Sequence, residues 1–166
     1  RLCISYLTIE HKGEIPAELR PKMGNHIFGC DICQEVCPWN KDALKSAEPL
    51  LKPRKENNNV DLTEFMKLDQ EAFSRRFRKS PVKRTKRRGL LRNVAVALGN
   101  WSHSDAIPAL SIGLHDIEPL VRSHSAWALG RIKNEVARNE LKSAIFTEKN
   151  PNVIREIETA LSERIL

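Results

Sequence analysis

The chain has 166 residues, of which 40% are hydrophobic and 30% charged, and its formal net charge at pH 7 is +7. This length suffices for one good core or for a small domain beside a larger one. No apolar run approaches the roughly 18 residues that a membrane-spanning helix requires, which excludes an integral helical membrane protein.

The N-terminal stretch begins Arg1-Leu2-Cys3, without an initiator methionine, and shows no clean helical or strand periodicity. Gly13 and Pro16 then predict a turn. A candidate metal ligand at the third position has almost no chain before it, so we expect the sequence to be a piece of a longer polypeptide. Nothing at this end looks like a secretory signal, and we expect a cytoplasmic protein.

Three of the four cysteines lie close together in the sequence CDICQEVCP, which begins at Cys30 and includes Cys33, Cys37 and Pro38. Thiolates two and three residues apart can turn inward from one tight loop onto a metal centre, and the proline prevents the chain from continuing as a helix. The spacing matches the end of the bacterial ferredoxin run, in which the cysteine before proline ligates a different cluster from its neighbours. The loop therefore predicts an iron-sulfur site.

Three other interpretations of these cysteines remain open. Free cysteines are common in protein cores. A structural zinc site usually has four ligands in paired C-x2-C knuckles, whereas only Cys30 and Cys33 form such a pair. Disulfides need an oxidising compartment, for which the sequence gives no signal.

The composition changes after Lys41, and prolines together with the asparagine run 57–59 predict a surface connector over residues 43–60. Asp61 and Asp69 are each placed to cap a helix. The second helix has Phe73 and Phe77 one turn apart, which indicates core anchors, and Pro81 is expected to end it.

The positive charge is concentrated in residues 75–92, which contain ten Lys and Arg and no acidic residue. The rest of the chain has 18 Lys and Arg against 21 Asp and Glu, a net charge of −3. The whole basic excess therefore belongs to one segment, which predicts a localised positive surface. The alternative is a solvated charged face without a binding role.

From residue 87 onward the sequence repeats with periods of 31 and 32 residues, which align the Ala-Leu pairs that begin at Ala97, Ala128 and Ala160. Each pair lies in a stretch with helical apolar spacing, and a second such stretch lies between successive pairs. Asp105 is a candidate cap in the first connection. Helix pairs repeating at this period predict an α-solenoid that resembles the short HEAT-like repeats.

Together these features resemble the C-terminal half of epoxyqueuosine reductase, the cobalamin-dependent iron-sulfur enzyme of queuosine biosynthesis in tRNA. The resemblance runs through CISYLTIE (3–10), the cysteine loop (29–41), SPVKR (80–84) and RRGLLRNVAVALGN (87–100). It implies a mainly α chain: part of a ferredoxin-like bis-[4Fe-4S] segment over 1–42, the connector 43–60, and a HEAT-like domain over 61–166.

The resemblance also implies a ligand set. Cys3, Cys30 and Cys33 would ligate one [4Fe-4S] cluster and Cys37 the other, with the remaining ligands in a cysteine run upstream of Arg1. In the family, electrons pass through these clusters to a cobalamin, which the missing half binds and which reduces epoxyqueuosine in tRNA to queuosine. No catalytic residue is expected in this chain, which should be inactive without that half.

The remaining expectations concern binding partners. By resemblance, Ser5 and Lys12 would lie near the cofactor. The residues expected to contact tRNA are Arg78, Lys79, Lys83, Arg84, Lys86, Arg87, Arg88 and Arg92, since Lys and Arg without acidic neighbours neutralise phosphates. A monomer is expected. The alternatives are a non-catalytic HEAT-like scaffold that binds RNA or protein and has a structural metal site, and a remnant without activity.

Overall fold

A computed structural model describes residues 2–44, 46–49 and 60–162 of the chain. Most of the predicted connector, including Pro53 and residues 57–59, lies outside the described residues, as does the end of the repeat domain at 163–166. The described residues form helices and turns with no strand among them, which confirms the mainly α class. None of the described helices is long and apolar enough to cross a bilayer.

Short helical pieces make up the N-terminal part. A π-helical turn covers Tyr6–Glu10, and a 3-10 turn at Pro21–Met23 ends at Gly24, whose φ is +56°. The cysteine loop contains helix α1 (Ile32–Glu35), followed by a 3-10 turn at Pro38–Asn40. Because no piece exceeds five residues, contacts with the rest of the chain must hold this part in place.

Helices α2 (Leu62–Phe65) and α3 (Gln70–Arg76) follow the undescribed stretch, and both predicted caps are confirmed. The Asp61 carboxylate accepts a hydrogen bond from Thr63 N (2.8 Å), and the Asp69 carboxylate accepts one from Ala72 N (2.7 Å). Helix α3 ends before the predicted Pro81, which instead begins a 3-10 turn over Pro81–Thr85.

The predicted aromatic anchors are confirmed. Phe73 and Phe77 are each 3% exposed, and their ring centroids are 5.2 Å apart. Phe65 of α2 stacks on Phe77 with the centroids 6.2 Å apart, so the three rings join the two short helices to the main core.

Five longer helices form the repeats. They are α4 (Lys86–Trp101), α5 (Ile107–Leu114), α6 (Pro119–Arg131), α7 (Glu135–Thr147) and α8 (Pro151–Ser162). Helices α4, α6 and α8 pack side by side as one layer, and α5 and α7 pack beside them. The predicted helix pairs are therefore confirmed, and the Ala-Leu pairs fall in equivalent turns of the three layered helices.

The predicted cap at Asp105 is wrong. His103 begins a 3-10 turn over Ser104–Ala106, and its ring nitrogen accepts a hydrogen bond from Asp105 N (3.3 Å). Helix α5 begins after that turn without a side-chain cap, and Pro108 in its first turn has no N–H that needs an acceptor.

Two ion pairs join successive repeats at the turns between helices. Arg87 at the start of α4 makes a two-pronged pair with Asp116 in the α5–α6 turn. Arg122 of α6 makes the same kind of pair with Glu148 in the α7–α8 turn, at 2.6 and 2.9 Å. Hydrogen bonds from Arg122, followed by those from the backbone at Asn150 and Lys149, lower the pKa of Glu148 to about 2. The pairs therefore fix the register of the stack.

Candidate functional site

The four cysteines lie at the surface of the N-terminal part. Cys3 and Cys33 are exposed, Cys30 and Cys37 are half-buried, and all four thiols are free. The cysteine loop closes on itself through Asn40, whose side-chain amide donates to the Gln34 carbonyl (3.0 Å) and side chain (2.9 Å).

The residue types present fit an iron-sulfur group, because clusters of this kind are held by thiolates. Among the described residues, however, no three His, Cys, Asp or Glu side chains gather in an arrangement that could hold a metal ion. The donor chemistry thus agrees with the sequence prediction, and the assignment of Cys3, Cys30, Cys33 and Cys37 as ligands stays a prediction.

Several large apolar side chains within the cysteine loop and just after it are exposed. Ile32 and Val36, one turn apart around α1, are 49% and 72% exposed, and Trp39 and Leu44 are 90% and 97% exposed. Several exposed large apolar side chains within one short segment are typical of a surface that another protein segment covers.

The repeat helices hold the N-terminal part through one equivalent position in each repeat. Asn93 of α4, His124 of α6 and Glu156 of α8 each precede the aligned alanine by four residues. Asn93 donates to the carbonyls of Thr8 and Ile27, and His124 accepts from Ile15 N. We call these three residues the docking row.

Glu156 completes the docking row through a two-pronged pair with Arg20. The two nitrogen-oxygen distances are 2.8 and 3.1 Å, and Arg20 Nε also donates to the Ile15 carbonyl (2.8 Å). The guanidinium carbon of Arg20 lies 5.5 Å from the ring centroid of Trp127, and the residue is only 3% exposed. This buried arginine joins the N-terminal turn to both α6 and α8.

His124 is fully buried, and its hydrogen bonds determine its tautomer. Because Nε2 accepts from Ile15 N (3.1 Å), the proton resides on Nδ1, which lies 2.8 Å from the Leu120 carbonyl. Burial, followed by the positive charge of Arg20, lowers the pKa of His124 well below its usual value. The imidazole is therefore a neutral structural group.

Arg92, next to the docking row, contributes the largest set of contacts. It is 0% exposed, and its guanidinium donates to the carbonyls of Leu7 (2.7 Å), His11 (2.8 Å) and Gly13 (2.7 Å). Burial, and after it the charge of Arg88, lowers the pKa of Arg92 to about 10, so the group stays charged at neutral pH. The charged guanidinium is therefore occupied by hydrogen bonds to backbone carbonyls of the N-terminal part.

The structure divides the predicted RNA-contacting residues into two groups. Arg92 is buried, and Arg87, with 12% of its side chain exposed, is paired with Asp116. Arg88 is half-exposed and lies 3.9 Å from Glu118. The exposed members of the predicted set are Arg78, Lys79, Lys83, Arg84 and Lys86.

The basic 3-10 turn Pro81–Thr85 packs against the π-helical turn that follows Cys3. Arg84 Nε lies 2.8 Å from the Glu10 carboxylate, and Lys12 Nζ donates to the carbonyls of Arg84 (3.0 Å) and Ile9 (2.7 Å). Lys12 thus connects two segments here. Ser5 is half-buried, and its carbonyl accepts from the Thr8 hydroxyl (3.3 Å); contact of either residue with a cofactor stays a prediction.

The sequence analysis missed the docking row, Arg20 and Asn100. Asn100 donates to the carbonyls of Arg20 (2.9 Å) and Gly24 (2.8 Å). The repeat register contained a signal, because a polar residue recurs four positions before each aligned alanine.

Two family models match the sequence. The first is described as a 4Fe-4S double cluster binding domain and matches residues 1–40, and the second describes HEAT repeats and matches residues 85–162.

Similar proteins share one description. Epoxyqueuosine reductase of Xanthomonas campestris pv. campestris is 46% identical over 132 residues, which cover 79% of this chain and 37% of the relative. Epoxyqueuosine reductase of Escherichia coli (strain K12) is 38% identical over 161 residues, which cover 97% of this chain and 42% of the relative. The chain thus spans about two fifths of the length of the curated relatives it matches.

Among solved structures, a crystal structure of epoxyqueuosine reductase with an epoxyqueuosine-modified tRNA-Tyr stem loop superposes with a TM-score of 0.88 at 33% sequence identity. The match covers 96% of this chain and 42% of that one. The agreement therefore extends from the cysteine segment to the last repeat.

Proposed function

Because this chain is homologous to part of the epoxyqueuosine reductases over most of its length, we propose that it forms the iron-sulfur and tRNA-binding part of such an enzyme. When bound, the [4Fe-4S] clusters would supply one-electron carriers toward a cobalamin on the rest of the enzyme, in a reaction that converts epoxyqueuosine in tRNA to queuosine. The proposal assigns no catalytic residue to this chain.

In this proposal the free cysteines are the cluster ligands. Cys3, Cys30 and Cys33 would bind one cluster and Cys37 the other, with the remaining ligands on the rest of the enzyme. Support comes from the spacing before Pro38 and from the double-cluster family match over residues 1–40. The exposed apolar side chains in the loop and just after it favour a surface that the rest of the enzyme covers.

One observation carries the functional proposal: the exposed basic turn lies directly against the segment that follows Cys3. The Arg84–Glu10 pair and the bond from Lys12 to the Arg84 carbonyl join the two. A phosphate backbone bound at Lys83, Arg84 and Lys86 would therefore be held beside the iron-sulfur segment. We keep Arg78, Lys79 and Arg88 in the proposed RNA surface and leave out Arg87 and Arg92, because of their burial.

Salt dependence of RNA binding tests this surface. Lys83→Ala and Lys86→Ala should each weaken binding of a tRNA stem loop and reduce the slope of log Kd against log salt by roughly 0.7–0.9 per lost phosphate contact. Lys149→Ala, an exposed lysine in the α7–α8 turn and outside the basic segment 75–92, is the matched control and should leave the slope unchanged. Identical slopes in all four proteins would refute the proposed surface.

Metal analysis tests the cluster ligands. After anaerobic reconstitution together with the rest of the enzyme, we expect iron and acid-labile sulfide in the wild type and a loss of both on changing Cys30 or Cys37 to serine. Uptake of zinc without iron would contradict the proposal.

A further inference from the structure

Thr8 and Asn93 connect the two segments that carry Cys3 and Cys30. The Asn93 side-chain amide donates to the carbonyls of Thr8 (2.9 Å) and Ile27 (2.8 Å). One amide group therefore makes hydrogen bonds both to the π-helical turn after Cys3 and to the irregular segment before Cys30.

The Thr8 hydroxyl makes a second bridge between the same segments. It accepts a hydrogen bond from Gly29 N (3.0 Å), directly before Cys30, and donates to the carbonyl of Ile4 (2.9 Å), directly after Cys3. Gly29 has a φ of +77°, a conformation that favours glycine, so the backbone entering Cys30 has a defined and unusual direction.

The two bridging side chains are buried, and hydrogen bonds determine the orientation of the Asn93 amide. Thr8 and Asn93 are both 0% exposed. Arg92 donates from Nε and Nη2 to the Asn93 side-chain oxygen, at 3.0 and 2.8 Å, which turns the NH₂ group of the amide toward the two carbonyls. A buried carbonyl that loses its donor destabilises the arrangement.

We infer that Thr8 and Asn93 are positioning residues that set the placement of Cys3 relative to Cys30. Helix α4 of the first repeat thereby determines where two thiols stand. The inference rests on the proposed function in that the two thiols are taken as cluster ligands, but the placement itself can be measured without metal.

Two near-isosteric substitutions remove the bridge. Thr8→Val deletes the hydroxyl that Gly29 N bonds. Asn93→Asp keeps the oxygen that Arg92 binds and removes the two donated hydrogen bonds. Asn100→Asp is the matched control, because Asn100 also donates to two carbonyls of the N-terminal part, those of Arg20 and Gly24, but in a turn without cysteine.

The distance between nitroxide labels on Cys3 and Cys30 is the readout, measured by double electron-electron resonance in the full chain with Cys33→Ser and Cys37→Ser. We expect broader distributions with a shifted mean in Thr8→Val and Asn93→Asp, and the parent distribution in Asn100→Asp. Unchanged distributions in both bridge variants would overturn the inference, as would equal broadening in all three. Circular dichroism verifies folding, and Thr8→Val decides the matter if Asn93→Asp does not fold.

Cluster properties separate this inference from the proposed function. In protein reconstituted with the rest of the enzyme, Thr8→Val should shift the reduction potential and the electron paramagnetic resonance signal of one cluster. Asn100→Asp should leave both unchanged. A wild type without iron would refute the proposed function, while the label distances would still decide the positioning of Cys3 and Cys30. Clusters that are unaffected by Thr8→Val would overturn the positioning inference alone.

Discussion

Replacing Gly99 by alanine should weaken the packing of α4 on α6. A methyl group at Gly99 would lie 2.8 Å from Cα of Ala128 and 2.7 Å from ring atom Cζ3 of Trp127, so helix backbone would have to move. Overpacking costs about 1–3 kcal/mol, and glycine to alanine within a helix contributes about 1 kcal/mol in the opposite direction. We expect a net loss of up to about 2 kcal/mol in the free energy of unfolding.

Gly89 is the matched control, because it lies in the same helix. A methyl group there would meet only Cβ of Thr85, at 3.5 Å, which is ordinary van der Waals contact. Gly89→Ala should therefore stabilise the protein by up to about 1 kcal/mol. Urea unfolding followed by circular dichroism should place the two midpoints on opposite sides of the wild-type midpoint at a common m-value. A Gly99→Ala protein as stable as Gly89→Ala would refute the argument from close helix packing.

Two further predictions concern buried polar contacts. The pKa of Glu148 is about 2 instead of its ordinary 4.5, so its pair with Arg122 adds stability above pH 4.5 that is lost as the pH falls toward 2. Thermal unfolding should show that Glu148→Gln is less stable than wild type by at most about 3 kcal/mol at pH 7, and that this difference in stability decreases in acid. A difference that does not depend on pH would contradict this prediction. Arg92→Met leaves the carbonyls of residues 7, 11 and 13 without their donor, so hydrogen exchange should accelerate in the N-terminal part of metal-free protein while α6 and α8 stay protected. Unchanged exchange in residues 7–13 would show that other contacts hold this segment.

The sequence was a good guide wherever local chemistry decides structure. The caps at Asp61 and Asp69 follow from a side-chain oxygen placed before a helical pattern, and the repeat period follows from apolar spacing. It misplaced the helix end near Pro81 and the cap at Asp105, because a 3-10 turn competes with an α-helix at both places and differs from it by little free energy.

For the candidate site, the sequence identified the types of residues involved, and the structure showed which of them are buried and what they contact. The sequence correctly identified residues 75–92 as the basic segment, but it could not show that Arg92 is buried. An arginine is buried only where several hydrogen-bond acceptors converge on it. Those acceptors are carbonyls about 80 residues earlier in the chain, which no local pattern reveals.

By itself, the sequence determined the mainly helical class, the repeat of helix pairs, the cysteine spacing and the family resemblance, because each depends on residue types at short and regular separations. Only the tertiary structure decided which arginines remain exposed and that Asn93, His124 and Glu156 form one docking row. These properties depend on groups that are far apart in sequence and come into contact only when the N-terminal part packs on the repeat helices. Their contact provides partners for buried hydrogen-bonding groups on both sides.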